Sequence, residues 1–499
     1  MLKILSSPQI KELDRYTIEH EPVAGIDLME RACVAFVDWI AAHIAVDKKI
    51  GIVCGTGNNG GDGLGIARLL CERGYVVSVW VVRGTATETE DFNTNLKRLS
   101  PAIKPINISV SPDRSSFQHC HVLIDAIFGS GLSRNTSGIY ADAISMMNES
   151  TALKIAVDIP SGLFADAPSA GTIFQADHTV TFQTAKLAFL LPENEKWVGQ
   201  MHIVDIGLSQ DFLNSAESKN YFIAPGGIKN LIRPRKIFSH KGSYGHGLII
   251  AGSYGKMGAC VLAAKASLRA GIGLLTVHIS QSGYTILQTS APEAMVSVDE
   301  SEYLFTNPPE ALNYTSIGIG PGLGTSEETV NALAKTLKHF KKPMVIDADA
   351  LNILSQNIEL LSLIPENSIL TPHPKEFERL AGSWQNDFEK LALLRSFSAK
   401  TKSIVVLKGA FTSICFPDGN IYFNSTGNPG MATGGSGDVL TGILMSLLSQ
   451  GYSPTSAALV GVYWHGLAGD CAAHKFSKNT MIASDIITFL PKAFKKIAV

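Results

Sequence analysis

The sequence predicts an α/β protein made of two three-layer αβα domains, and three observations support this prediction. The chain has 499 residues, enough for two to four domains of roughly 150 residues each. Short β-branched runs alternate with helix-period segments, which is typical of mostly parallel sheets covered by helices on both faces. The alternation pauses in the polar stretch 208–226, so we expect one domain at 1–212 and a second at 222–499.

The elements of each expected domain follow from the apolar runs and the glycine-containing turns between them. The first domain is predicted to have two leading helices within 7–44, strands at 49–54, 75–82, 121–127, 154–159 and 178–182, and a helix at 62–73. The second is predicted to have strands at 247–251, 274–278, 316–320, 343–346, 368–370 and 403–407, and helices at 258–270 and 436–448.

The composition argues against several classes of protein. Lys and Arg number 42 against 44 Asp and Glu, a net charge of −2, whereas nucleic-acid binders concentrate cationic charge. No apolar run reaches the length of about 18 residues that a membrane span needs. The seven cysteines form no CxxC pair, and the amino terminus turns polar too soon for a secretory signal. We therefore expect a cytoplasmic protein with reduced thiols and no structural zinc.

The first glycine-rich loop, residues 55–63 (GTGNNGGDG), follows a predicted strand and precedes a helix. Such a loop allows backbone N–H groups to approach a pyrophosphate. A dehydrogenase is disfavoured because the second strand ends in Val82-Arg83, without an acidic residue for the ribose hydroxyl. The amides and the carboxylate of Asn58, Asn59 and Asp62 suit a hard cation or sugar hydroxyls, but they also suit turns and helix caps.

Two later strands also end in a carboxylate followed by a glycine loop. Asp125 precedes Gly129-Ser-Gly131, and Asp158 precedes Ile-Pro-Ser161-Gly162. Ligands of parallel sheets gather outside the carboxyl ends of the strands. Three successive strand ends with Asn or Asp therefore predict one shared site in the first domain.

The glycine loop of the second half, residues 424–442 (NSTGNPGMATGGSGDVLTG), opens an apolar helix. Backbone N–H groups of Gly434 to Gly437 are expected to form an anion hole. Asp438 follows directly and can take a proton from a hydroxyl that is about to receive a phosphoryl group. This loop resembles the anion hole of ribokinase-like small-molecule kinases.

Further polar residues follow other strands of the second half. Lys408 and Thr412 follow one strand, and His373 lies on a loop between two prolines. Asp347 and Asp349 either bind Mg²⁺, directly or through water, or cap the next helix. A P-loop NTPase is excluded because the chain contains no GxxxxGK[ST] sequence.

Taken together, the strings NNGGDG and DIPSG in the first half and KGxxT and NPGMATGGSGDVL in the second resemble the bifunctional NAD(P)H-hydrate repair enzymes. The resemblance covers nearly the whole chain. It implies a Rossmann-like epimerase domain that interconverts R- and S-NADHX and NADPHX. It also implies a ribokinase-like dehydratase domain that converts the S form to NAD(P)H, using ADP and releasing AMP and phosphate.

The resemblance implies a role for each matching residue. Asp158 and Asp438 would be the catalytic residues, and K⁺ would bind Asn59, Asp125 and Ser161. The epimerase substrate would contact Asn58, Asn59, Gly60, Gly61, Asp62, Gly129, Ser130, Gly131, Leu132, Ser133, Arg134, Asn135 and Asp158. The dehydratase substrate would contact Ala259, Gly322, His373 and Asp438, and the nucleotide would contact Lys408, Gly409, Ala410, Phe411, Thr412 and Gly437. Mg²⁺ would accompany the nucleotide.

The residues leave two alternatives open. A ribokinase-like small-molecule kinase could use the same anion hole and Asp438 while the amino-terminal domain serves as a non-catalytic binding module. Within the repair-enzyme family, the readable residues do not separate ADP from ATP. We expect small-molecule substrates (NADHX, NADPHX and ADP), no nucleic acid and no membrane, and a homo-oligomer on general grounds of symmetry.

Overall fold

The computed structural model describes residues 1–84, 87–109, 116–310 and 313–498. The chain forms two compact units. The first contains Lys3–Ser218 and Asn386–Phe388, and the second contains Met1–Leu2, Lys219–Gln385 and Glu389–Val499. No helix among the described residues is both long and apolar enough to cross a membrane.

The first unit alternates strands with helices after two leading helices. Its strands are β2 Lys49–Cys54, β3 Val76–Val82, β4 Ile106–Ile108, β5 Val122–Ala126, β6 Leu153–Val157, β7 His178–Phe182 and β8 Gln200–Val204. The short β1 at Leu2–Lys3 belongs to the second sheet. The helices of the first unit are α1 Ser7–His20, α2 Gly25–His43, α3 Asn58–Glu72, α4 Glu90–Arg98, α5 Ile139–Asn148, α6 Glu195–Val198 and α7 Gln210–Ser215.

These seven strands form a sheet in the order β4-β3-β2-β5-β6-β7-β8, with parallel neighbours throughout. Alternate residues of β2 enter different apolar clusters: Ile50 and Ile52 pack with α2 and α3, and Val53 packs with α5. The sheet is therefore covered on both faces, as the continuous apolar strands predicted. The strand order reverses between β2 and β5, which is the position where open α/β sheets bind ligands.

The second unit has the following elements. Its strands are β9 Asn220–Ile223, β10 His246–Ile250, β11 Leu274–Ile279, β12 Met295–Val298, β13 Ser316–Ile319, β14 Val345–Ile346, β15 Ile369–Leu370, β16 Ile404–Leu407, β17 Ser413–Cys415 and β18 Ile421–Asn424. Its helices are α8 Met257–Arg269, α9 Tyr284–Ser290, α10 Glu327–His339, α11 Ala348–Gln356, α12 Pro374–Ala381, α13 Asp387–Thr401, α14 Ser436–Ser449, α15 Pro454–Phe476 and α16 Ala483–Ala498.

The second sheet runs in the order β1-β9-β18-β17-β16-β15-β14-β13-β10-β11-β12. In this order, neighbouring strands from β16 through β13 and β10 to β12 are parallel, and β17 is antiparallel to both of its neighbours. Helices α8, α14, α15 and α16 contribute to one large apolar core against this sheet. Here the order reverses between β10 and β13, so a second ligand position is expected at the carboxyl ends of these strands.

The α/β fold class is confirmed, and the principal difference lies in the polar stretch 208–226. This stretch contains α7 and β9 instead of forming only a connection. Strand β9 pairs with β18, whose residues come much later in the chain. The polar composition of the segment indicated only a domain boundary. It could not reveal β9, because the strand that pairs with β9 is distant in sequence. The antiparallel β17 was also not predicted.

Candidate active sites

The first unit has a cavity of about 480 Å³ at the carboxyl ends of its strands, beside the reversal of strand order. It collects residues from three predicted loops, among them Asn58 and Asn59 at the start of α3 and Asp158 after β6. Other predicted residues in its lining are Asp62, Gly129, Ser130, Gly131 and Leu132. The cavity lining does not include Gly60, Gly61, Ser133, Arg134 or Asn135.

Gly60 and Gly61 are instead packed against other parts of the unit. A Cβ atom at Gly60 would lie 1.9 Å from the carbonyl oxygen of Gly55, and one at Gly61 would lie 3.1 Å from Sδ of Met29. Such a close approach of two backbone segments leaves no room for a side chain. These glycines allow the loop to fold tightly enough to place Asn58 and Asn59 in the cavity.

Asp158 is held in the left-handed region with φ of 62°. Its Oδ1 accepts hydrogen bonds from Oγ1 of Thr181 at 3.1 Å and from the backbone N–H of Phe182 at 3.2 Å, and it pairs with Nζ of Lys186. Lys186 is only 1% exposed, and its Nζ also donates to Oγ1 of Thr181 at 2.6 Å. A strained backbone conformation of this kind persists only where many surrounding contacts hold it in place. Such conformations are concentrated at functional sites.

Three further carboxyl groups line the same cavity, those of Asp14, Asp62 and Asp91. Burial, and then the negative charge of Asp158, raises the pKa of Asp14 to about 6, while Lys186 opposes the rise. Burial, followed by repulsion from Asp158, Asp14 and Asp91, raises the pKa of Asp62 well above its usual range. Sequence reasoning did not identify Asp14 or Lys186, because neither belongs to a glycine loop.

An oxygen-rich cluster lies among the residues proposed to bind a cation. Ser161 donates two hydrogen bonds to the carboxylate of Asp125. Its backbone N–H donates to Oδ2 at 2.7 Å, and its Oγ donates to Oδ1 at 2.7 Å. Asn59 Nδ2 donates to the carbonyl oxygen of Phe128 at 3.1 Å, and Oγ of Ser161 lies 3.4 Å from that oxygen. Burial raises the pKa of Asp125 to about 6 against the effect of its hydrogen bonds. Oxygen donors around a buried carboxyl fit a hard cation, whose charge would favour the ionised form.

In the second unit, the predicted residues follow neighbouring parallel strands. Lys408 directly follows β16, His373 follows β15, and Asp347 follows β14. These three strands are adjacent in the sheet, so their carboxyl ends meet at one edge. The loops after β10 and β13 also approach each other, since a Cβ atom at Gly322 would lie 3.0 Å from the carbonyl oxygen of Lys256 and 3.3 Å from Cβ of Ala259, at the start of α8.

Lys408 is the centre of a charged network. Its Nζ lies 3.0 Å from Oδ1 of Asp347 and 3.9 Å from Oε2 of Glu376. Burial alone would lower the pKa of Lys408, but Asp347 and Glu376 together raise it. Glu376 also accepts a bond from the backbone N–H of His373 at 2.8 Å, and His373 caps the start of α12 in return. The loop from 408 to 412 is closed by Thr412, whose Oγ1 accepts from the backbone N–H of Gly409 at 3.3 Å.

The start of α14 contains the glycines that were predicted to form an anion hole. Gly435 has φ of 92°, a conformation that favours glycine, and no side chain caps the first turn. The N–H groups of a first helical turn have no partner within the helix, which favours an anion. A Cβ atom at Gly437 would lie 3.5 Å from Nζ of Lys408, so the helix start and this cation adjoin.

Asp438 lies in that first turn. Burial, and then the charge of Asp347, raises the pKa of Asp438 to about 7, while Lys408 lowers it and Asp349 raises it. A carboxyl group that titrates near neutral pH is well matched to proton transfer. Asp347 also accepts from Oγ1 of Thr441 at 2.7 Å.

Asp347 and Asp349 have different environments. Asp347 is at the cap position of α11, yet its side chain makes no capping bond. Asp349 accepts from the backbone N–H of Gly324 at 2.9 Å and pairs with Nζ of Lys256 at 3.2 Å. Asp347 is therefore the carboxylate that faces the helix start, and Asp349 joins the loop after β13 to Lys256.

Sequence reasoning also missed Glu376, Thr441 and His465 as parts of this site. Among the described residues, Nε2 of His465 and Oγ of Ser436 are buried without a hydrogen-bond partner. Burial lowers the pKa of His465 to about 4, so the ring is neutral near pH 7. No local signal marks His465, because it lies in the middle of the apolar helix α15.

Two protein-family profiles match this chain, one for each of the two units. The profile described as "NAD(P)H-hydrate dehydratase" matches residues 247–492, and the profile described as "YjeF-related protein N-terminus" matches residues 25–188. A bifunctional NAD(P)H-hydrate repair enzyme from Moorella thermoacetica is 34% identical over 99% of this chain and 97% of its own. The Escherichia coli enzyme of the same name is 34% identical over 88% of this chain and 84% of its own.

Solved structures resemble the second unit. A Bacillus subtilis ADP/ATP-dependent NAD(P)H-hydrate dehydratase, co-crystallised with ATP and Mg²⁺, is 31% identical with a TM-score of 0.50, covering 56% of this chain and 98% of its own. A ribokinase-like superfamily protein from Enterococcus faecalis is 32% identical with a TM-score of 0.51, covering 57% of this chain and 98% of its own. The chain therefore belongs to the family of bifunctional NAD(P)H-hydrate repair enzymes, which joins an epimerase to a dehydratase.

Proposed function

We propose that residues 1–212 epimerise R- and S-NADHX and NADPHX, and that residues 222–499 dehydrate the S form using ADP. The observation that carries this proposal is that each unit places a predicted catalytic carboxyl group close to a lysine. Asp158 faces the cavity of the first unit, and Asp438 lies at the helix start of the second. Each is accompanied by a lysine, Lys186 for the former and Lys408 for the latter.

The epimerisation requires acid–base assistance at C6 of the damaged nicotinamide ring. This carbon carries a hydroxyl group beside the ring nitrogen, which can expel the oxygen. Asp158 assists the loss and the return of that oxygen. Lys186 and Thr181 position the carboxylate, because both contact its Oδ1.

The dehydration must convert hydroxide, a poor leaving group, into a better one. Asp438 takes the proton from the C6 hydroxyl, whose oxygen attacks the terminal phosphoryl group of the nucleotide. The P–O bond to AMP breaks, and phosphate then leaves C6 as the ring nitrogen donates its electron pair. Loss of a proton from C5 restores NAD(P)H. Lys408 and the backbone N–H groups at the start of α14 stabilise the transferring phosphoryl group.

The cations are assigned from the oxygen groups present. Asn59, Asp125 and Ser161 would hold K⁺, which would supply positive charge beside the epimerase cavity. In the second unit, Asp347 is the carboxylate next to Gly437 and Lys408, and it would hold Mg²⁺ together with the nucleotide. The Bacillus relative was co-crystallised with ATP and Mg²⁺, which supports a nucleotide accompanied by Mg²⁺ in this unit.

The proposal is tested by recovery of absorbance at 340 nm from a mixture of R and S hydrates, with ADP or ATP, Mg²⁺ and K⁺ supplied. Full recovery with one nucleotide is expected, with one phosphate released for each NADH formed. Recovery of only the S fraction would remove the epimerase assignment. Accumulation of a phosphorylated product would instead identify the alternative, a ribokinase-like small-molecule kinase. Homo-oligomerisation and a cytoplasmic location stay predictions.

A further inference from the structure

One carboxyl group in the cavity of the first unit, that of Asp14, lies on α1 and not on a glycine loop. Ile10, Asp14 and Ile18 all line the cavity. They are spaced four residues apart on α1, so they share one face of that helix. Asp14 therefore reaches the cavity from α1, whereas Asp158 reaches it from the end of β6.

Asp14 is surrounded by charged and titratable groups from several elements. Asp158 and Lys186 act on its carboxyl group from the strand ends, and Asp14 in turn acts on Asp62 of α3. The other charged side chains in the lining are Lys11 of α1 and Asp91 of α4. Asp14 is thus one of four carboxyl groups in a single cavity, and Lys186 pairs directly with only one of them, Asp158.

We propose that Asp14 is the second acid–base residue of the epimerase, acting on the C6 oxygen as the partner of Asp158. This inference rests on the proposed epimerase function. In one direction, protonated Asp14 gives its proton to the C6 hydroxyl, the C–O bond breaks, and water leaves as the ring nitrogen forms an iminium. Water then adds to the opposite face and gives its proton to ionised Asp158.

The net result of this cycle is inversion at C6 and transfer of one proton from Asp14 to Asp158. The reverse reaction begins from that second arrangement and returns the proton to Asp14. One proton shared by two carboxyl groups therefore serves both directions. If neither Asp14 nor Asp158 carries a proton, the reaction lacks its acid. If both carry a proton, it lacks its base.

Asp62 is less suited to this exchange, although it lines the same cavity. Burial and three neighbouring carboxylates disfavour its charged form and raise its pKa well above the usual range. Burial raises the pKa of Asp14 only to about 6. The carboxyl group of Asp14 can therefore both give and receive a proton in the working range, which general acid–base catalysis requires.

The test uses the full chain without nucleotide, so that the dehydratase step does not proceed. One purified epimer of NADHX is supplied with K⁺, and the R-to-S ratio is followed by chromatography with the uncatalysed rate subtracted. Asp14→Asn is expected to lower kcat/KM by about 10²–10⁴-fold. In the wild type, kcat/KM should fall as the pH rises above about 6, and this alkaline decline should be absent from the residual activity of Asp14→Asn.

Three further variants separate catalysis from folding. Glu12→Gln changes an exposed carboxylate of the same helix and should match the wild type. Asp14→Glu retains a carboxyl group and should retain an alkaline decline, whereas a purely structural defect would lower activity without moving the profile. Asp62→Asn should keep the wild-type decline.

The outcomes distinguish the two proposals. Unchanged kcat/KM in Asp14→Asn, or the wild-type alkaline decline in its residual activity, would overturn the role of Asp14 while leaving the epimerase function intact. Loss of the decline in Asp62→Asn alone would assign the proton to Asp62 instead. A wild-type chain that does not epimerise NADHX would overturn both the inference and the proposed function.

Discussion

The titration of Asp438 is expected to govern the pH dependence of the dehydratase. Burial and the charge of Asp347 raise the pKa of Asp438 to about 7. A general base works only when it is ionised, so the rate should rise with pH and level off above this value. About one eleventh of the carboxyl groups are ionised at pH 6 and about ten elevenths at pH 8, which gives a roughly tenfold increase. A carboxyl group at its ordinary pKa would give a flat profile over this interval.

Asp349→Asn provides the informative perturbation, because Asp349 is not the carboxylate assigned to Mg²⁺. It removes a negative charge that raises the pKa of Asp438, and it leaves Lys256 without its carboxylate partner at 3.2 Å. Both changes favour the ionised form of Asp438. The midpoint of the rate profile should therefore move to lower pH.

The assay is the initial rate of absorbance increase at 340 nm with purified S-NADHX and saturating nucleotide and Mg²⁺. Phosphate groups also titrate with a pKa of about 6, so the displacement between wild type and variant is the decisive quantity. Glu359→Gln, a change at an exposed carboxylate of the same unit, should leave the midpoint in place. A flat wild-type profile, or a midpoint that Asp349→Asn does not move downward, would refute the reasoning.

Three other predictions concern the first unit. Asp158→Asn should slow epimerisation by about 10²–10⁴-fold because it removes an acid–base group; chromatography of the R-to-S ratio checks this, and the exposed Asp211→Asn should have no effect. Asp125→Asn should raise the K⁺ concentration for half-maximal epimerisation by at least about tenfold, and an unchanged KCl titration would contradict the cation assignment. Gly60→Ala should cost about 1–3 kcal/mol of the free energy of unfolding, because its Cβ would lie 1.9 Å from the carbonyl oxygen of Gly55; thermal or denaturant unfolding measures the loss.

Much of the fold was predictable because its signals are local. The buried parallel strands are continuous apolar runs, and His178–Phe182 was predicted with the bounds that the structure gives. Helix α3 begins at Asn58, four residues earlier than predicted, because the glycine loop itself forms the first turn. Strands β9 and β18 depend on pairing between distant segments, so their sequences alone gave no sufficient signal.

The candidate sites show the same division between local and long-range information. Glycine loops after apolar strands indicated Asp158 and Asp438, since the carboxyl ends of parallel strands meet at one edge of a sheet. Gly60 and Gly61 belong to the same loop, but tight packing places them outside the cavity lining. Lys186, Asp14 and His465 lie on elements without such a motif and were not found.

The sequence by itself determined the α/β class and the family, because apolar strand runs, helix-period patterns and short glycine motifs are written in consecutive residues. Only the tertiary structure decided the protonation behaviour of the sites. The pKa values of Asp14 and Asp438 depend on burial and on charges brought close by folding, namely Asp158 and Lys186 for the first and Asp347 and Lys408 for the second. Coulombic interaction and desolvation act through space, so no spacing along the chain specifies them.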